Sequence, residues 1–168
     1  GDQERGVDVR ILTNSLASHD VPAVNSHYEP WRDDIVGTGT RLFELRADAA
    51  IQSLVDVPPV DAKFVGLHTK ASVADGRHVF IGSMYLDPGS SAINTEMGAV
   101  IDSPGLGQEL RKLMLRDMSP ENAWEVSIDD NGRLQWQNSD ETVGRQPTRG
   151  FSQHIMNVIF KVIPKEQF

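Results

Sequence analysis

The sequence predicts an α/β domain built on a mixed central sheet of about six or seven strands, flanked by helices on both faces. Three observations predict it. Short segments alternate apolar and polar residues with the period of a strand, and amphipathic segments with the period of a helix are interspersed among them. The third is length: 168 residues suffice for one full core and are too few for two of typical size. A single domain over residues 1–168 is the expectation.

After a polar lead, Gly1–Gly6, the segment Val7–Thr13 (VDVRILT) alternates as a strand does. Asn14–Asp20 reads as the polar loop after it. Such loops line the ligand crevice of open α/β sheets, so Asn14 and Ser15 are candidate substrate-binding residues. Pro22–Ile35 suits a helix that Pro30 should kink or split. Gly37-Thr38-Gly39 ends it, and no third glycine completes a dinucleotide fingerprint. Thr40–Arg46 (TRLFELR) alternates as a second strand, and Ala47–Lys63, holding Pro58-Pro59, reads as a linker or excursion. Leu67–Ala74 has the small and β-branched residues of a strand, and Asp75-Gly76 is a favoured two-residue hairpin turn leading into the next. Glu96–Ile101 reads as an apolar strand and Leu106–Leu115 as an amphipathic helix. Trp124–Ile128 and Arg133–Gln137 read as a hairpin with a longer turn, Ser139–Thr148 as polar and mobile. Phe151–Ile163 is an apolar helical segment, too short to span a bilayer, whose apolar face is expected to close the core or pack on a missing half, the alternative being a partly inserted interfacial helix.

Composition narrows the chemistry. With no cysteine there is neither a disulfide framework nor a thiolate metal site. The formal charge of −8 argues against broad nucleic-acid binding, which needs a basic surface to release counterions. The five histidines show no paired ligand spacing, and no G-x-S-x-G supports a serine hydrolase.

One stretch does carry chemistry. His68, Lys70, Asp75, Gly82 and Ser83 stand in the pattern H-x-K-x4-D-x6-G-S. Its chance occurrence in such a chain has odds on the order of one in ten thousand. Residues two apart in a strand share a face, so His68 and Lys70 should point the same way, within reach of one phosphate. If Asp75-Gly76 is the whole turn, Ala74 pairs with Arg77 and Ser83 comes opposite His68. The hairpin would then gather an imidazole, an ammonium and a hydroxyl around one anion. Gly82 would leave room for substrate to approach the backbone.

This pattern resembles the HKD motif of the phospholipase D superfamily. The continuation Leu86-Asp87-Pro88, Ser90 and Asn94-Thr95-Glu96-Met97-Gly98 is similar to its bacterial cardiolipin-synthase-like branch. So are the opening Arg10–Ser18 with Asp20–Val24, the segment Arg116–Asn122 and the tail to Ile163-Pro164, so that nearly the whole chain is covered. The resemblance implies the second catalytic half of a two-motif phosphatidyltransferase, exchanging phosphodiesters through a phosphohistidine. Alternatives are a nuclease-type phosphodiesterase acting as a dimer of one-motif chains, and a degenerate non-catalytic half. It implies His68 as general acid and later base, Lys70 and Ser83 on the phosphoryl oxygens, and Glu96 orienting His68. Asp75, at the turn, is expected to serve structure. Tyr85 stands where the family pattern G-S-x-N has asparagine, and Gly89 where the branch often has arginine. Tyr85, Asn94 and Gly82 complete the implied substrate-binding set. Neither cofactor nor metal is called for. The implied partners are a phospholipid substrate and an N-terminal half carrying its own motif, or a second copy. The full-length protein would be peripherally membrane-associated and the present chain soluble.

Overall fold

The computed structural model describes residues 6–19, 25–26, 28–59, 61–84, 95–150 and 153. They divide into two compact units, one running up to Leu67 and resuming at Asp117, the other His68–Arg116. Among the described residues there are eight strands, five in the first unit and three in the second, together with helices, so the chain is α/β as expected, with these strands gathered in two sheets.

The first unit is a mixed sheet. Strand β1 (Arg10–Asn14) runs parallel to β2 (Arg41–Leu45), and β6 (Ala123–Ile128), β7 (Leu134–Gln137) and β8 (Thr142–Val143) follow antiparallel, in the order β1-β2-β6-β7-β8. Pro30 divides its helical segment as its missing N–H and fixed φ require. A 3-10 turn covers Glu29–Trp31 and helix α1 begins at Arg32, ending at Gly37. A short helix α2 (Gln52–Val55) interrupts the excursion between β2 and the second unit.

Strand β2 lies between β1 and β6, and everything in it from Leu42 to Leu45 is buried. Leu42 packs with Trp124, Val126 and Trp136 from β6 and β7, and Ile35 and Val36 of α1 cover this cluster. Burying one such side chain contributes about 1.5–3 kcal/mol. A second cluster, Leu45 with Ala49, Ile51 and Val65, holds the segment leading to residue 67, with Leu12 and Leu67 packed against it.

The second unit is an antiparallel sheet, β3 (Lys70–Ala74), β4 (His78–Gly82) and β5 (Gly98–Asp102), followed by the 14-residue helix α3 (Pro104–Asp117). Proline suits the first helical position, where its absent N–H costs nothing, and the Ser103 hydroxyl accepts the Leu106 N–H at 3.3 Å as an N-cap. Gly107 lies against the backbone of Gly76 and Arg77, so close that a Cβ would overlap it, which seats the first turns of α3 on the β3–β4 turn.

Several sequence expectations need correction. The strand expected from Leu67 begins at Lys70, leaving His68 in the extended approach to it. The turn is one residue longer than expected. Asp75 (φ 53°) and Gly76 (φ 62°) are both left-handed and Arg77 N–H closes on Ala74 C=O at 3.0 Å, yet the ladder partner of Ala74 is His78. Arg77 is thus an extra residue at the turn, held by a two-point bond to Asp102, and Lys70 comes opposite Gly82. In that register Ser83 is not opposite His68. The segment Ser139–Thr148 contributes β8, paired with β7. The expected helix Phe151–Ile163 lies, Gln153 apart, outside the described residues.

Candidate active site

Lys70, the first residue of β3, turns its Nζ back toward His68, to 3.2 Å from Nε2 and 3.3 Å from Nδ1, and donates to the His68 carbonyl at 2.9 Å. His68 is exposed and Lys70 partly so. The pair therefore presents an imidazole nitrogen and a cation side by side to solvent, within reach of a single phosphoryl group.

Ser83 and Glu96 form a second cluster. The Ser83 N–H bonds the Met97 carbonyl at 2.8 Å and its Oγ accepts the Met97 N–H at 3.0 Å, continuing the β4–β5 pairing past Gly82. The same hydroxyl donates to Glu96 Oε2 at 2.5 Å, which fixes the carboxylate against the β4 end of the hairpin. Asp75 sits in the turn with positive φ.

Gly82 is opposite Lys70, but the space a side chain would occupy there is taken up within the sheet. A Cβ on Gly82 would stand 2.7 Å from the Met97 carbonyl oxygen and 2.8 Å from Phe80 Cζ. One on Gly98, its partner across β5, would stand 2.5 Å from Phe80 Cε2. The Phe80 ring thus lies across two facing glycines on the face that carries Lys70. The sequence reading missed Phe80. The available signal was F-x-G in one strand with a glycine beginning the next.

The two loop candidates belong to the first unit. Asn14 ends β1; its Nδ2 donates to the Leu67 carbonyl at 2.8 Å and its Oδ1 accepts the Leu67 N–H at 2.7 Å. Ser15 is fully buried, its Oγ accepting the Ser18 N–H at 3.1 Å. Tyr85 and Asn94 lie outside the described residues, as does Gly89. No group of acidic or histidine side chains able to hold a metal occurs among the described residues.

An α/β chain with a mixed five-stranded sheet and a three-stranded antiparallel sheet is consistent with a phospholipase D-like domain. The family model described as cardiolipin synthase, PLD-like domain, matches residues 2–118, and the chain belongs to that family. Among curated relatives, cardiolipin synthase C of Escherichia coli (strain K12) is 34% identical over 167 residues, covering 96% of this chain and 35% of that protein. An uncharacterized protein of Helicobacter pylori (strain J99) is 28% identical over 170 residues, covering 97% of this chain and 32% of that protein. The chain spans about a third of the length of these relatives. No solved structure matches it significantly.

Proposed function

We propose that this chain is one catalytic half of a phospholipid phosphatidyltransferase that exchanges phosphodiesters in two steps through a phosphohistidine. The observation that carries the reading is the contact of Lys70 Nζ with both ring nitrogens of His68, two residues before it. Phosphodiester exchange needs a nucleophile, charge stabilisation on the non-bridging oxygens and an acid for the departing alkoxide. A neutral imidazole of the other half attacks phosphorus, and His68 protonates the leaving alcohol. In the second step His68, now neutral, removes the proton of the incoming hydroxyl, whose oxygen bonds phosphorus as the P–N bond to the other half's imidazole breaks, so both rings return to their starting states. Lys70 neutralises the phosphoryl oxygens, and Glu96, fixed by Ser83, orients the imidazole.

The substrate is a phospholipid, as the name of the Escherichia coli relative supports, and the full-length protein works at a membrane surface. Among the described residues no helix is long and apolar enough to cross one. The test is phosphatidyl transfer by the full-length protein on phospholipid vesicles. His68→Ala should lower turnover on the order of 10²–10⁴-fold, the usual worth of a general acid and base. Undiminished transfer by that variant would refute the reading. Salt-sensitive cleavage of DNA in place of lipid exchange would favour a nuclease instead.

A further inference from the structure

We propose that Asn14 is a positioning residue for His68, acting through Leu67, and not a substrate ligand. The inference rests on the reading of His68 as a proton-transfer group. Asn14 is the last residue of β1, and both polar atoms of its amide are spent on the backbone of one residue, Leu67. That pair of bonds imitates a strand partner: the amide accepts the Leu67 N–H and donates to the Leu67 C=O, 53 residues away in sequence. The next residue is His68.

The approach to Leu67 is held along its length. Val65 is buried and its N–H bonds the Ala47 carbonyl at 3.0 Å. Gly66 runs so close to the Ser18 carbonyl that a Cβ would stand 3.1 Å from it. Asn14 itself is steadied by the Ser18 hydroxyl, which donates to Oδ1 at 3.2 Å. His68 and Thr69 precede the β3 ladder, and the His68 carbonyl is held from the far side by Lys70 Nζ at 2.9 Å. The Asn14 amide holds the backbone on the near side of this exposed histidine. Releasing it lets the chain before the imidazole shift, and a misplacement of about 1 Å at a reacting group costs on the order of a hundredfold in rate.

Aspartate at this position gives a test that a merely structural role would not pass. It keeps the shape and the acceptor for Leu67 N–H, but ionised it sets a second oxygen against the Leu67 carbonyl; protonated, it restores the missing donor. In the full-length protein on phospholipid vesicles, Asn14→Ala and Asn14→Asp should each lower kcat on the order of tenfold to a hundredfold, with KM changed by less than about twofold. The Asn14→Asp deficit, taken as a ratio to the parent at each pH, should shrink as pH is lowered, and the Asn14→Ala deficit should not. Hydrogen exchange at the Leu67 amide should quicken in Asn14→Ala while the cores of both units stay protected. Overturning results are an unchanged kcat in Asn14→Ala, a deficit confined to KM, which would make the amide a substrate ligand, or an Asn14→Asp deficit that ignores pH. His68→Ala, run alongside, separates the two claims: if it retains activity the reading of His68 fails, and if it alone is inactive while the Asn14 variants match the parent, only this inference fails.

Discussion

Glu44 is an acidic side chain with no solvent exposure, and its surroundings explain how the first unit tolerates it. Its Oε1 accepts Arg32 Nε at 2.6 Å and the Tyr28 hydroxyl at 3.0 Å, while Oε2 accepts Trp136 Nε1 at 2.8 Å. Arg32, equally buried, stacks over the Tyr28 ring at 4.8 Å and the Trp136 ring at 5.5 Å. Burial pulls the Arg32 guanidinium down, and the charge and hydrogen bond of Glu44, together with Tyr28 and Glu29, more than reverse this, leaving its pKa above the ordinary value. Breaking a buried pair from one side strands the other charge, so Glu44→Gln should cost about 3–5 kcal/mol in the denaturation midpoint. Burial, reinforced by the Glu44 charge, drives the Tyr28 phenol well above its ordinary pKa. A raised folded pKa means that the contribution of Tyr28 is complete below pH ~10, its unfolded value, and is lost as pH climbs beyond it. Tyr28→Phe should cost about 1 kcal/mol at neutral pH and flatten the alkaline loss, and an alkaline melting curve identical to the parent's would contradict this. None of this was legible in TRLFELR. Residues two apart in a strand share a face, so Glu44 goes with Leu42, but that this face is covered, and by an arginine twelve residues earlier, is decided by tertiary packing.

Among the elements, the β3–β4–β5 hairpins show how far local chemistry reaches. Asp75-Gly76 announced a turn, and both residues adopt the positive φ that such a pair tolerates. What the pair did not announce is the extra residue. Arg77 is taken out of the ladder by its two bonds to Asp102, 25 residues later, a long-range ion pair invisible to any local window. The resulting shift of one residue put Gly82 opposite Lys70 and sent the Ser83 hydroxyl to Glu96. The glycines themselves were visible, but the ring they accommodate was not. Gly82→Ala should lose about 1–3 kcal/mol by overpacking. Shortening the ring with Phe80→Leu should rescue Gly98→Ala, whose conflict is with the ring alone at closest range, and rescue Gly82→Ala only in part, because the Met97 carbonyl cannot withdraw. Equal rescue of both in thermal melts would show that the ring is not what the glycines make room for.

For the whole molecule, the decisive fact is that the family relatives are about three times as long as this chain. Exchange through a phosphohistidine takes one imidazole to attack and another to shuttle the proton, and the motif pattern here offers one. The 168-residue chain, assayed on phospholipid vesicles at high dilution, should show no turnover, and supplying the remainder of the full-length protein should restore it. Turnover by the dilute chain alone would show that its chemistry is complete. The α/β class and the histidine-lysine pair were legible because both rest on short-range patterns, a period of two and an i, i+2 spacing. That Asn14 and Leu67 meet was not, because nothing local links residues 53 apart.

One consequence follows for where this protein can be cut. The match to the family model ends at residue 118, but β2 takes its antiparallel neighbour from β6, which starts at Ala123, and Glu44 takes the indole N–H of Trp136. Stitches continue beyond the sheet: the Arg149 guanidinium lies 3.5 Å from the centre of the Phe64 ring and bonds the His19 carbonyl, and Gln153 reaches the Leu16 carbonyl. A fragment trimmed at residue 118 would bare the flank of β2 and should be recovered as insoluble material.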